Sequence, residues 1–156
     1  MAKQTTKSAA KPAKTNHAPH GLHTVTPHLT VAGAAKAIGL VIPDLQGRVE
    51  GLATRVPIVA GSIVDLTAQL RRSVSVADLA AAYREAAAGD LEGILAVTDE
   101  ELVSSDFVGN PNSAVVDLPL LQRAGDRLVR VIAWYDNEWG YSNRLADLLA
   151  YIGGRT

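Results

Sequence analysis

The chain is 156 residues long and 47% hydrophobic, which is room for one ordinary domain with a real core, and its 15 Lys+Arg nearly balance its 16 Asp+Glu. It has no cysteine, which excludes a disulfide scaffold, a cysteine zinc site, an iron–sulfur cluster and a thiol nucleophile. Its apolar runs are too short to span a membrane, and with aromatics at 4% and a formal charge of -1 nucleic acid is not an expected partner.

Residues 1–28 differ from the rest. They hold Lys3, Lys7, Lys11 and Lys14, all four histidines (His17, His20, His23 and His28) and no acid. So polar a segment buries too little surface to offset its backbone entropy, and it reads as a disordered tail with no secretory apolar stretch. Imidazoles spaced as in His17-x-x-His20-x-x-His23 can share a divalent metal if the chain folds around it. No carboxylate, thiol or rigid element stands nearby, so incidental histidines are the simpler reading and no metal site is assigned.

Residues 32–41 (AGAAKAIGLV) read as a short Ala-rich helix stopped by Pro43 and Asp44. Residues 48–56 and 62–70 read as two strands of a hairpin, with Pro57 and Gly61 in the loop. Val64, Leu66, Ala68 and Leu70 share one face of the second strand, and Ile63, Asp65, Thr67 and Gln69 the other. One apolar and one polar face mark a sheet with helices on one side only. Residues 75–88 make a helix with a Ser75/Asp78 capping box and a stop at Gly89. Residues 92–97 form a short strand, and residues 100–108 a loop with an extended piece at Ser104-Ser105-Asp106. Residues 113–117 and 127–135 are strands, the second apolar on both faces and hence central. Residues 138–152 close the chain as a helix with an inner stripe of Trp139, Leu145, Leu148, Leu149 and Ile152. This order predicts an α+β fold, a mostly antiparallel or mixed sheet with helices packed on one face.

Several segments also carry a resemblance. They are Ala34–Ile38 (AAKAI), Val41-Ile42-Pro43, Thr54-Arg55-Val56-Pro57, Ser62–Thr67 (SIVDLT), Ser104–Phe107 (SSDF) and Trp134–Arg144 (WYDNEWGYSNR), in that order. Together they closely resemble the C-terminal part of the catalytic domain of phosphorylating glyceraldehyde-3-phosphate dehydrogenase, over residues 29–151 or so. The family's chemistry uses a cysteine thiolate, a histidine base, NAD as hydride acceptor and inorganic phosphate. The resemblance implies that Arg55 stands at a phosphate-binding arginine, a task suited to its fork of donors. On the residues alone, Arg55 reads as an ordinary polar-face arginine paired with a carboxylate such as Asp65. The family's phosphate-binding Thr-Gly aligns with Ala32-Gly33, so Gly33 keeps the backbone donor while the hydroxyl is lost. Asn137 matches the residue that holds the nicotinamide carboxamide, and Tyr141 the tyrosine packed nearby. Alone, Asn137 reads equally as a helix N-cap, Asp136 and Glu138 as charges favoured by the helix dipole, and Trp134, Tyr135 and Trp139 as core.

The departures from the family are as informative. No Gly-x-Gly-x-x-Gly follows a strand, and no cysteine exists to act as nucleophile. If Thr15-Asn16 and Ala18-Pro19 match the segment after that cysteine, Ala13 stands in its place. The sequence therefore predicts a truncated family domain, with residues 29–156 as the catalytic-domain-like fragment, lacking the NAD-binding domain and inactive alone. No catalytic residue and no cofactor is assigned to this chain by itself, NAD being the family's cofactor. The alternative is an oligomerisation module that joins itself or full-length dehydrogenase subunits. A cytoplasmic location is expected.

Overall fold

The computed structural model describes residues 38–54 and 56–154. The chain divides between Pro57 and Ile58 into two units, each described here by itself. The tail of residues 1–28, with its histidines, and positions 32–37 of the first helix lie outside the described residues.

In the first unit, residues 38–41 are helical, and the Ile42 N–H donates to the Ile38 carbonyl at 2.8 Å. Pro43 then opens a 3-10 turn, Pro43–Leu45. A proline suits such a start, because its missing N–H would have had no partner there. The strand expected over 48–56 does not form, since residues 49–54 take no regular structure and only Val49 is partly buried. The physical reason lies in the side chains. Gly51 and Ala53 leave one face of the alternation thin, and on the other Leu52 and Val56 stay 82% and 56% exposed, so neither face finds a core.

The second unit is a mixed sheet with two helices. Its strands are β1 (Ser62–Gln69), β2 (Leu95–Thr98), β3 (Ala114–Asp117), β4 (Gln122–Ala124) and β5 (Leu128–Tyr135). The order is β1-β5-β3-β2, with β4 also pairing β5. Strands β1, β3 and β4 run antiparallel to β5, and β2 runs parallel to β3. The α+β class and the central place of the 127–135 strand both hold. β5 is central because its two faces are both buried by neighbours: Val129, Val131, Ile132 and Ala133 are each under a tenth exposed.

Helix α1 (Val76–Ala88) begins as the capping box requires. The Ser75 hydroxyl accepts the Asp78 N–H at 3.0 Å, and the Asp78 carboxylate accepts the Ser75 N–H at 3.2 Å. Leu79, Ala80 and Tyr83 of α1, with Leu95, Val97 and Ala114, pack against a buried cluster of Val116, Leu118, Leu121, Val131 and Ala133, which builds the core on one sheet face. Burying a side chain of this kind stabilises by about 1.5–3 kcal/mol. On the opposite face Phe107 stacks on Trp134, with centroids 5.4 Å apart. The Trp134 indole N–H donates to the buried Asp117 carboxylate at 3.0 Å. Phe107 arrives there on a 3-10 turn, Ser104–Phe107, where the sequence suggests an extended piece. The turn forms because the Asp106 carboxylate accepts the Val103 N–H at 2.8 Å, a local bond that competes with extension.

Two apolar surfaces depart from expectation. β1 is the end strand of the sheet, and Ile63, Val64 and Leu66 on its two faces stay 46–48% exposed. The expected inner stripe of helix α2 (Trp139–Gly153) is also in the open, with Trp139 52%, Leu149 70% and Ile152 54% exposed. α2 is held at its start. Gly140 is buried against the Asn112 and Ser113 backbone, and Arg144 donates to the Gly93 carbonyl at 3.0 Å.

Candidate functional site

The turn between β5 and α2 gathers the polar groups. Asp136 is buried, 7% exposed, and its carboxylate takes three backbone donors. Oδ1 accepts the N–H groups of Glu138 at 3.0 Å and Trp139 at 2.8 Å, and Oδ2 accepts that of Gly109 at 2.9 Å. Asp136 thus satisfies two backbone donors at the start of α2 and pins the 109 loop to the same point. These bonds, Gly109's foremost, hold its carboxyl below the usual 3.8, against the opposing effect of burial. The capping role read for Asn137 belongs to Asp136.

Asn137 is free of that role and stands exposed beside the start of β1. The register sets Ser62 opposite Tyr135, two residues before Asn137. The Ser62 hydroxyl donates to Asn137 Oδ1 at 2.5 Å. Among the described residues no hydrogen bond engages the Asn137 Nδ2 donors. Tyr141 lies one turn along α2 and is 66% exposed. Gly33 and Arg55 lie outside the described residues. Asp65 receives Arg130 Nε at 2.8 Å and Nη2 at 2.6 Å, a bidentate pair that lowers the Asp65 pKa. Ser62 was missed as a site residue. Its partner is 75 positions away, and only the β1–β5 pairing brings the two together.

The Asp136 carboxylate gives a pH dependence. Its folded pKa is depressed, so its contribution is complete above the unfolded value near 3.8 and is lost as pH falls through the lower folded value. The expected outcome is that Asp136→Asn is less stable by about 2 kcal/mol at neutral pH, because the Gly109 N–H loses its acceptor. Denaturant unfolding of both proteins should show that gap closing below pH 4 or so. A gap independent of pH would contradict this account of the carboxylate.

No group of three or more His, Asp or Glu side chains among the described residues is placed to hold a metal. No helix among them is long and apolar enough to cross a membrane. A shallow cavity of about 230 Å³, lined by Thr67, Gln122, Arg123, Leu128 and Arg130 among others, sits at the far end of β5 from Asn137.

A mixed sheet with an Asp-Asn-Glu-Trp-Gly-Tyr turn at the end of its central strand is the catalytic-domain framework that the motifs resemble. The model of a family described as "Glyceraldehyde 3-phosphate dehydrogenase, C-terminal domain" matches residues 1–137, and the chain belongs to that family. It is 55% identical over 124 residues to a glyceraldehyde-3-phosphate dehydrogenase of Mycolicibacterium smegmatis, a match covering 80% of this chain and 36% of the relative. Identity is 53% to that of Mycobacterium avium, over 80% of the chain and 36% of the relative. It is 52% to glyceraldehyde-3-phosphate dehydrogenase 2 of Streptomyces arenae, over 80% and 37%. The chain therefore spans little more than a third of the length of the relatives it matches.

Proposed function

We propose that this chain is a dehydrogenase-family catalytic-domain fragment that by itself catalyses no oxidation of glyceraldehyde 3-phosphate. Residues 29–156 form the fragment and residues 1–28 a tail. The observation that carries the reading is the absence of any cysteine in the 156 residues. The family's route begins with attack of a thiolate on the aldehyde carbon, and a chain without cysteine supplies no thiolate.

What the chain retains in this reading is part of the binding surface. Asn137 presents an NH2 with no partner among the described residues, and it fits the carbonyl of a nicotinamide carboxamide, with Tyr141 four positions on in the first turn of α2. Gly33 and Arg55 are the phosphate ligands. NAD, when bound, supplies hydride acceptance. The described residues fit only its nicotinamide end, and the chain has no Gly-x-Gly-x-x-Gly turn for the pyrophosphate, so no cofactor is assigned to it alone. A cytoplasmic location goes with the same reading. The experiment is a turnover assay with the purified chain, and a rate above a boiled control would refute inactivity.

A second reading, an oligomerisation module for itself or for full-length dehydrogenase subunits, is favoured by the open apolar surface. Ile63, Val64 and Leu66 on β1, and Trp139, Leu149 and Ile152 on α2, are each at least 46% exposed. Light scattering separates the two. A mass held at 16.4 kDa, with no shift on mixing with a full-length relative, favours the inert fragment. A stable higher mass favours the module.

A further inference from the structure

We infer that Ser62 is a positioning residue for Asn137, fixing which end of the amide meets a ligand. An exposed asparagine can turn either its oxygen or its NH2 outward, and the two ends select opposite partners. Here the Ser62 hydroxyl donates to Oδ1, which leaves Nδ2, a donor only, as the end of the amide without a partner among the described residues. The end so presented recognises a carbonyl oxygen and rejects a donor.

Both residues are held from the backbone. Ser62 is fixed by the β1–β5 ladder, where it pairs with Tyr135. Gly61, immediately before it, is buried at φ +91° against the Ser104 carbonyl. Asn137 is fixed by Asp136, whose carboxylate ties the turn to Gly109, Glu138 and Trp139. The backbone thus places the two side chains, and the hydroxyl completes the orientation of the amide. A site whose donors are set beforehand loses less on binding than one that must order them. The inference rests on the nicotinamide reading only for the identity of the ligand carbonyl, while the hold of Ser62 on Asn137 stands apart from it.

The test uses the full chain labelled with nitrogen-15, following the Asn137 side-chain NH2 signals in the native protein, Ser62→Ala and Ser62→Thr. Backbone signals of β1 and β5 report that each variant is folded. The expected result is that S62A shifts the NH2 pair toward free-amide positions and increases its fast motion, while S62T restores both. Titration with nicotinamide mononucleotide should then move the NH2 pair in the native chain and in S62T. S62A should bind about fivefold more weakly, the effect of one ordinary hydrogen bond. An NH2 pair equally ordered in S62A and native protein overturns the inference. If ordering depends on Ser62 but the mononucleotide moves no Asn137 signal in native protein, the nicotinamide reading fails and the positioning role stands.

Discussion

Given glyceraldehyde 3-phosphate, NAD and inorganic phosphate, the purified chain is expected to form no NADH above a boiled control. The argument is chemical. The thiohemiacetal that gives up hydride needs a sulfur nucleophile, and none of the 156 residues is cysteine. Residues that act with a nucleophile as a unit contribute little once it is gone, and removing such a unit costs on the order of a millionfold in rate. The nicotinamide contact proposed for Asn137 would not offset that loss, since binding one end of a cofactor orients it without supplying a reaction path. A sustained rate that scales with protein concentration would show that another nucleophile is at work.

Replacement of Gly61 by alanine is expected to cost about 3 kcal/mol. Two effects add. The residue sits at φ +91°, where an L side chain is strained by about 1–2 kcal/mol. A Cβ there would lie 2.7 Å from the Ser104 carbonyl oxygen, and overpacking of this kind costs about 1–3 kcal/mol. Ser104 opens the turn that carries Phe107 onto Trp134, so the clash falls on backbone that cannot swing aside. Set against a net stability of about 5–15 kcal/mol for a typical domain, this is a large fraction. Denaturant unfolding should show a lower midpoint with an unchanged slope, and a midpoint within error of native would refute the argument.

The elements legible in the sequence are those whose periodicity is tied to burial or to a cap. Helix α1 begins after Ser75 because the capping box is written in the residues, and β5 is central because both of its faces are apolar. The strand over 48–56 failed for the converse reason, its alternation being matched by no burial over residues 50–54. β4 was missed because its three residues, Gln122, Arg123 and Ala124, are all exposed and carry no pattern. Amphipathic spacing also tells which side of a helix is apolar, not whether anything covers it. The open stripe of α2 is a case in point.

The candidate site was readable in part. Asn137 and Tyr141 stood out through the resemblance, whereas Asp136 looked like a helix-end charge until its three backbone donors were in view. Its spacing to Trp139, three residues on, was the signal for a cap. Ser62 carried no signal of its own, since a hydroxyl at the start of a strand is ordinary and its partner is remote in sequence.

The hold of Ser62 on Asn137 in the turn after β5 depends on β1 lying against β5 in one register. Backbone proton contacts measured by NMR on the isolated chain test this directly. The structure requires Val64 opposite Ala133 and Leu66 opposite Val131, with Ser62 opposite Tyr135. Contacts between those pairs are the predicted result. A β1 strand with no contact to β5, or one shifted by a residue so that Ser62 no longer faces Tyr135, would contradict the account.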